Sequence, residues 1–478
     1  MDALILALDR VNQYFLSISA ALLVLLAGVW LAWRFGAFYL LHPIRTLRAM
    51  PFEGGARQML LSLGGTVGVG NISGVAVALA FGGAGAVFWM WVGAFASMSL
   101  KYAEIILGML YRKRENGRYR GGAPYYIKEA LGKRAAAFFA ALLVLDSVAV
   151  GGVIQSSAIA EAAESGFGLS PLVCGVLLAV ICAVIFFFGA DLFGLSAVIV
   201  PLMSVGYIAA ALAVIFVNAA RLPSVLGQIF SEAFSPAAAG GGALGFLLSP
   251  ALRQGIVKGL FSNEAGCGTA ATAHAEAKET VPARQGLFGI FEVFCDTVLL
   301  CTLTALAILT ALGGDLAAYG AHGVRVCAAA FRSVFGGAAD LLLFFFVFLF
   351  AFATILSYGY YGRESLRCFR GGARFTNGFI AAYCLSLLVG AVAAPQAVWT
   401  VSDGMICLML AVNTTAVLLK AKEVTAAHDA FYAQIGKYSA RASRMRSRAS
   451  ASAKKVSAIS DSETKRGETL YLVQNRAK

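Results

Sequence analysis

Residues 64–74 read Gly-Gly-Thr-Val-Gly-Val-Gly-Asn-Ile-Ser-Gly and lie inside an otherwise apolar segment of the chain. Glycine in a helix interior is unfavourable by about 1 kcal/mol relative to alanine, so glycines this dense predict a break. A second apolar segment is interrupted in the same way by Gly-Leu-Phe-Ser-Asn-Glu-Ala-Gly-Cys-Gly at residues 259–268. The sequence therefore predicts two broken helices with polar residues at each break.

The composition of the chain indicates a membrane protein. Of the 478 residues, 59% are hydrophobic and 13% are charged, and the mean hydropathy is +0.78. A soluble domain has about 25% charged residues, so a soluble enzyme, a nucleic-acid binder and a secreted disulfide scaffold are excluded. The formal net charge of +13 then indicates membrane topology. None of the nine cysteines forms a CxxC pair, which disfavours a metal cluster or a disulfide framework.

Eleven segments are apolar over a length that can cross a bilayer, for which roughly 20 residues are needed. We expect an all-α polytopic membrane protein with about 11 transmembrane helices, near residues 13–35, 57–80, 84–110, 135–158, 170–190, 195–218, 243–272, 286–312, 338–361, 376–394 and 397–420.

The basic residues of the loops predict the orientation. Thirty of the 38 Lys and Arg lie in one alternating set of loops, which comprises 41–57, 111–134, 274–287, 361–375 and the tail with Lys420. The opposite set holds four, namely Arg10, Arg221, Arg325 and Arg332. Because cytosolic loops carry the excess of Lys and Arg, the N-terminus is predicted outside and the C-terminus in the cytosol.

The two breaks lie five spans apart, in the second and the seventh span. Two consecutive blocks of five helices have opposite orientations in the membrane, and paired broken helices in inverted halves are typical of the binding site of a secondary transporter. Close packing of small residues is the alternative interpretation of Gly64-xxx-Gly68. The predicted domains are an extra helix with its linker, two inverted five-helix repeats and a basic cytosolic tail, at 1–56, 57–242, 243–420 and 421–478.

Several motifs resemble the alanine/glycine:cation symporter family, the sodium–alanine symporters. They occupy residues 65–76, 88–91, 101–104, 121–127, 259–266, 284–287, 291–294 and 296–297, and the resemblance covers nearly all of 15–420. It implies the leucine-transporter-type fold, with spans two to eleven as the inverted repeats. It also implies uptake of a small amino acid driven by Na⁺ or H⁺.

The resemblance, together with the breaks, gives the candidate site residues. The candidate substrate contacts are Thr66, Gly68, Gly70, Asn71, Gln155, Phe261, Ser262, Asn263 and Tyr358. The candidate cation contacts are Gly68, Asn71, Glu264, Thr354 and Ser357. Glycine lets a ligand approach the backbone, and hard cations prefer oxygen ligands. The alternative roles are helix capping for Asn71 and hydrogen bonds from Thr354 and Ser357 to their own helix.

Intramembrane carboxylates need partners. For Glu264, the sequence offers Lys258 and Arg253 as ion-pair partners, with a structural salt bridge as the alternative to cation binding. Glu292 and Asp296 are four residues apart and share a helix face, but no histidine accompanies them in sequence. A proton relay is therefore disfavoured. The four histidines, His42, His274, His322 and His428, are expected in loops or near span ends, and none is expected to bind a metal.

The chain departs from the resembled family at three positions. The family usually has Asn where this chain has Gly152, Trp where it has Tyr358, and an acidic residue where it has Arg363. The first two departures are expected near the pocket and put the size of the substrate in question. A buried tyrosine also brings a hydroxyl that needs a partner.

The function predicted from the sequence is Na⁺-coupled symport of a small neutral amino acid such as alanine or glycine, by alternating access. The alternative is proton-coupled uptake of a different or larger neutral amino acid, such as serine, threonine or glutamine. A channel is less favoured, and no enzyme motif such as HExxH or GxSxG occurs. We expect no cofactor, no nucleic-acid partner, Na⁺ as the coupling ion, and a multi-pass location in the plasma membrane, the inner membrane of a bacterium.

Overall fold

The computed structural model describes residue 12 and residues 17–234, 249–314, 316, 323–369, 372–393 and 396–434. The chain forms two compact units, Met1–Thr425 and Ala426–Lys478. In the second unit, residues 426–434 are helical. The predicted tail from 435 onward and the predicted boundary at 242/243 lie outside the described residues.

The described residues of the first half of the large unit form helices and one short hairpin. Its helices are α1 (Ser17–Arg34), α2 (Phe38–Leu41), α3 (Pro43–Arg48), α4 (Phe52–Thr66), α5 (Ser73–Gly82), α6 (Gly85–Leu110), α7 (Ala123–Leu131), α8 (Lys133–Asp146), α9 (Gln155–Phe167), α10 (Pro171–Phe187), α11 (Leu192–Val217) and α12 (Leu222–Ala233). The hairpin joins β1 (Lys113–Glu115) to β2 (Arg118–Arg120) with Arg114 opposite Tyr119. A π-helical segment, Ser147–Ile154, connects α8 to α9.

The second half follows the same order of a broken helix and further spans. Its helices are α13 (Pro250–Asn263), α14 (Thr269–His274), α15 (Pro282–Val293), α16 (Thr302–Leu312), α17 (Gly323–Phe335), α18 (Ala339–Ser365), α19 (Ala373–Val392) and α20 (Gln396–Leu419). The π-helical segment Phe294–Cys301 connects α15 to α16.

Both predicted breaks are confirmed, and each has a local cause. In the first, α4 ends at Thr66, Gly68 is extended, and α4 and the helix that follows are bent by 59°. In the second, α13 ends at Asn263, and Gly266 and Gly268 have φ of +93° and +75°. Glycine adopts this left-handed conformation without steric cost.

Glu264 has the same left-handed backbone, with φ of +53°, although it carries a side chain. A non-glycine residue is uncommon in this conformation. Its backbone N–H donates to the Leu260 carbonyl and caps α13. The second break therefore holds its carboxylate on a constrained backbone.

Among the described residues, eight helices are long and apolar enough to cross a membrane, and the bent pair α4–α5 makes nine. The all-α polytopic fold is thus confirmed. The number eleven stays a prediction. The 17 residues of α10 extend only about 26 Å, and the second broken helix is divided into two short halves.

Helix α6 lies at the centre of the bundle, and 89% of the residues in its apolar 18-residue stretch are buried. It packs against α13 and α15. Four glycines of these two neighbours, Gly255, Gly259, Gly286 and Gly289, come so close to α6 that an added Cβ would contact it. Small residues permit this approach of helix backbones, which brings the second break next to α6.

Candidate functional site

A cavity of about 430 Å³ lies between the two breaks. Helices α4, α5, α9, α13, α18 and α20 contribute to its wall. The wall is polar where the breaks expose backbone, and apolar where residues such as Val77, Phe81 and Ile406 face inward. A cavity that combines an apolar wall with a few polar groups is suited to a small amphipathic ligand.

Nine of the twelve residues predicted from the sequence line this cavity. They are Thr66, Gly68, Gly70, Gln155, Phe261, Ser262, Glu264, Thr354 and Tyr358. The other three, Asn71, Asn263 and Ser357, are buried and do not line it. The structure therefore brings most of the predicted set together, although the members come from segments that are far apart in sequence.

The side chain of Asn71 lies behind the cavity wall and stabilises the first break by hydrogen bonds. Its Oδ1 accepts a hydrogen bond from the Gly68 N–H at 3.0 Å, and its Nδ2 donates to Oδ1 of Asp296 at 2.8 Å. The side chain thus makes the capping contact that the sequence offered as the alternative role, and the ligand contact of Asn71 stays a prediction. The physical reason is that the break leaves a backbone N–H without a helical partner, and the amide satisfies it.

Asn263 has a similar role at the second break. Its Oδ1 accepts from the Ala265 N–H at 3.0 Å, and its Nδ2 donates to Oγ1 of Thr297 at 3.1 Å. Its carbonyl accepts from Nζ of Lys101 at 2.9 Å. Both polar atoms of this side chain bond within the protein, and its substrate contact stays a prediction.

Two hydroxyls of α18 reach the backbone of the first broken helix. Oγ1 of Thr354 donates to the Gly64 carbonyl at 3.1 Å, and Oγ of Ser357 donates to the Leu61 carbonyl at 2.7 Å. Both also bond to carbonyls of their own helix. A Cβ at Gly68 would lie 2.6 Å from Oγ1 of Thr354. This cluster of uncharged oxygens next to the cavity is the kind of donor set that a hard cation prefers.

Glu264 has hydroxyl partners in place of the cations that the sequence suggested. Its Oε2 accepts from Oγ1 of Thr269 at 2.7 Å, and its Oε1 accepts from the hydroxyl of Tyr358. The expectation that the buried Tyr358 hydroxyl needs a partner is confirmed. Lys258 and Arg253 also line the cavity, Arg253 in the first turn of α13 and Lys258 in its second half.

The departures at Gly152 and Arg363 lie outside the cavity lining. A side chain at Gly152 would overlap Oγ of Ser386 on α19, so the neighbouring helix fills that space. The Arg363 guanidinium lies over the ring of Tyr360 at 5.9 Å. Of the three departures, only Tyr358 faces the cavity.

The sequence did not assign a role to the buried charges behind the cavity. Asp296 accepts hydrogen bonds from Ser262 at 2.9 Å and from Thr297 at 2.8 Å. His274 was expected near a span end, yet it is fully buried with Nε2 at 2.7 Å from Oε1 of Glu292. The four-residue spacing of Glu292 and Asp296 was the one feature of the sequence that pointed to this buried group of charges. The histidine that accompanies them comes from another helix.

The cavity wall also contains polar residues of α20 that the sequence did not identify. Thr400, Ser402 and Asp403 line it together with Ile406. In sequence they sit at the start of an apolar span, where polar residues are ordinary, so no local signal distinguished them.

The whole-chain comparison decides the family. The model of the sodium:alanine symporter family matches residues 1–444. The chain belongs to the sodium:alanine symporter family. Its relatives in this family share about a third of their residues with it across most of their length.

Three curated relatives illustrate the match. A putative sodium/proton-dependent alanine carrier protein of Bacillus subtilis is 35% identical over 383 residues, 77% of this chain and 78% of its own. A probable sodium/glutamine symporter of the same organism is 36% identical over 76% of this chain and 75% of its own. A sodium/alanine symporter of Methanococcus maripaludis is 33% identical over 88% of this chain and 96% of its own.

One solved structure, a manganese transporter of Eremococcus coleocola, has a TM-score of 0.39 and 11% identity, covering 77% of this chain and 94% of its own. The family assignment rests on the sequence matches alone. As a member of the sodium:alanine symporter family with eight or nine described membrane-spanning helices, the protein is an integral-membrane, cation-coupled amino-acid symporter.

Proposed function

We propose that this symporter couples the inward movement of Na⁺ to the uptake of a small neutral amino acid such as alanine or glycine, by alternating access. The observation that carries the proposal is the pair of α18 hydroxyls, Thr354 and Ser357, aimed at the Gly64 and Leu61 carbonyls beside the cavity. Four uncharged oxygens from two helices can replace part of the hydration shell of Na⁺.

The cavity offers separate groups for the two charges of an amino acid. At the first break Gly68 and Gly70 carry no side chain, so a substrate carboxylate can approach the backbone of the broken helix closely. Oε1 of Gln155 is buried on the cavity wall and has no hydrogen-bond partner among the described residues. It can accept a hydrogen bond from the substrate ammonium. Phe261 and Tyr358 then lie beside the substrate side chain.

The names of the relatives support alanine and Na⁺. Two of the three relatives are named for alanine and one for glutamine, and one is named for both sodium and protons. A second candidate substrate, a larger neutral amino acid such as glutamine, is favoured by the cavity volume of about 430 Å³, since alanine alone fills a minor part of it. Proton coupling remains the alternative to Na⁺ coupling.

The orientation is part of the proposal. The loop set with 30 of 38 basic residues faces the cytosol by the positive-inside rule, which puts the N-terminus outside the plasma membrane and the C-terminus inside. The halves α4 and α14 of the two broken helices then lie on the cytosolic side, and the halves α5 and α13 on the outer side.

Uptake of radiolabelled alanine into proteoliposomes tests the proposal. An inward Na⁺ gradient is expected to drive accumulation, and a pH gradient in Na⁺-free buffer is not. Full uptake in the Na⁺-free arm would replace the proposal with proton coupling. Competition by unlabelled glycine, serine, threonine and glutamine gives the substrate range. Counterflow of alanine distinguishes a carrier from a channel, because only a carrier shows it.

A further inference from the structure

Lys101, His274 and Glu292 form a buried polar cluster behind the cavity, and each side chain is fully inaccessible. Nζ of Lys101 lies 3.1 Å from Oε2 of Glu292, and Nε2 of His274 lies 2.7 Å from Oε1. Oγ of Ser62 also donates to Oε2 at 2.8 Å. Both carboxylate oxygens are therefore occupied, and the ammonium balances the charge of the carboxylate.

The second ring nitrogen of His274 contacts an amide that can be turned around. Nε2 of Gln285 lies 2.7 Å from Nδ1 of His274 and 3.4 Å from the Gly55 carbonyl. An amide N–H₂ only donates, so Nδ1 accepts, and the neutral ring carries its proton on Nε2. Oε1 of Gln285 is buried and has no partner among the described residues. A 180° rotation of the amide turns this acceptor toward Nδ1, where it can receive an added proton.

The charged and titratable groups that face the cluster include more carboxylates than cations. Helix α6 contributes Lys101 and, three residues on, Glu104, whose Oε1 accepts from the Gly268 N–H at 3.2 Å. The segment that continues the helix of Glu292 contributes Asp296, four residues on. Helix α4 contributes the Ser62 hydroxyl, and α18 contributes the phenol of Tyr361. Beyond α14, Arg112 donates to the Ala275 and Ala277 carbonyls, and Glu276 pairs with Arg120. The cluster is therefore enclosed by ionisable groups of both signs.

Hydrogen bonds connect this cluster to the cavity wall. Ser262, which lines the cavity, donates to Asp296 at 2.9 Å, and Thr297 donates to the same carboxylate at 2.8 Å. Asn263 then links Thr297 to Lys101, with distances of 3.1 Å and 2.9 Å. On the side away from the cavity, Glu292 connects the two cytosolic half-helices, because it bonds to Ser62 of α4 and to His274, the last residue of α14.

From this geometry we infer that His274, held between Glu292 and Gln285, is a proton-binding site of the symporter that is loaded from the cytosol and holds the cytosolic half-helices closed. The inference rests on the proposed function for its orientation. Histidine changes its charge between pH 5 and 8 when unperturbed, and an imidazolium adds a full positive charge opposite the Glu292 carboxylate. Inward opening has to separate α4 from α14, and the protonated cluster opposes that separation.

The test measures Na⁺-driven alanine uptake into proteoliposomes at constant external pH while the internal pH is lowered from 8 to 6. Wild-type uptake is expected to fall several-fold. His274→Gln is expected to retain Na⁺-driven uptake with a flat pH profile, because Gln can bond to Glu292 but binds no proton. His42→Gln is the matched control, since His42 is exposed, and it should keep the wild-type profile. A flat wild-type profile, or a wild-type profile in His274→Gln, overturns the inference.

A second variant decides the question if His274→Gln does not fold. Gln285→Glu places a carboxylate next to Nδ1 of His274, so His274 should keep its proton up to a higher internal pH. As the internal pH is lowered, the fall in uptake should then begin at a higher pH than in the wild type. An unshifted pH profile counts against the site. Thermal unfolding of the purified protein gives a readout without any substrate. The proposed site requires the folded protein to bind this proton more tightly than the unfolded chain does, so the stability of wild type relative to His274→Gln should rise as the pH falls from 8 to 6. Absence of Na⁺-driven alanine uptake at every pH, with this stability difference intact, would instead remove the proposed function.

Discussion

The hydroxyl of Tyr358 on α18 donates a hydrogen bond to Oε1 of Glu264 at the second break. Both residues line the cavity, and 94 positions separate them in sequence. The bond fixes the ring of Tyr358 across the wall and satisfies a buried carboxylate whose other oxygen is bound by Thr269. One side chain thus shapes the cavity and supports the break.

Tyr358 is expected to set the substrate range. Because Tyr is smaller than Trp, the wild type should accept Ser, Thr or Gln as measurable competitors of alanine uptake, and Tyr358→Trp should narrow competition toward Gly and Ala. One methylene changes binding by about 1–3 kcal/mol in such pockets, so the change is a shift in range and not an absolute switch. Competition assays on both proteins check this, and identical profiles would contradict it.

Tyr358→Phe separates the hydroxyl from the size of the ring. The substitution keeps the cavity wall but leaves one oxygen of the buried Glu264 without its donor, at a cost of about 1–3 kcal/mol in the free energy of unfolding. We expect a lower thermal midpoint with a nearly unchanged competition profile. A profile as narrow as that of Tyr358→Trp would mean that the hydroxyl, and not the volume, sets the range.

Thr354→Ala should weaken Na⁺ activation of uptake more than it changes the half-saturating concentration of alanine at saturating Na⁺. If the lost oxygen ligand contributes about 1.4 kcal/mol to the free energy of Na⁺ binding, the half-activating Na⁺ concentration rises tenfold. The measurement is uptake as a function of Na⁺ concentration. Thr415→Ala is the matched control, because Thr415 is exposed and bonds only to the Ala411 carbonyl of its own helix. Equal Na⁺ activation in the two variants would exclude Thr354 as a ligand.

Lys101→Met should destabilise the protein strongly, because it leaves the buried Glu292 without its nearest full positive charge. Breaking a buried pair on one side typically costs about 3–5 kcal/mol. The double variant Lys101→Met/Glu292→Gln should recover part of that loss, since it buries no unpaired carboxylate. Thermal unfolding of the purified proteins measures both. Additive losses would show that the two residues do not act as a pair.

The orientation is tested by fusions. A reporter attached after Lys420 should be active in the cytosol, and one at the N-terminus outside, because of the distribution of loop Lys and Arg. An externally active C-terminal reporter would show that the number of spans is wrong by one. Removal of residues 430–478 should leave transport largely intact, because this part of the tail contains no apolar span.

Local features of the sequence sufficed for the membrane class and for the positions of both breaks. Helix formation depends on residues within one or two turns, and the glycines at 64–74 and 259–268 act over that distance. The need of the Tyr358 hydroxyl for a partner could also be predicted, since it follows from burial alone.

The sequence could not distinguish the residues that face the cavity from those that support it. Asn71 and Gln155 are both polar residues in apolar spans. The Asn71 amide bonds across a break, whereas Oε1 of Gln155, on the cavity wall, has no partner in the part of the chain that the structure describes. That difference depends on Asp296, which lies 225 residues from Asn71.

Only the tertiary structure decided the role of the buried charges. The sequence disfavoured a proton site at Glu292 because no histidine stands near it on its own helix, and folding then brings His274 of α14 to 2.7 Å from that carboxylate and Lys101 of α6 to 3.1 Å. A charge can be buried only where partners from other segments meet it, so its meaning depends on the packing of the helices and not on its neighbours in the chain.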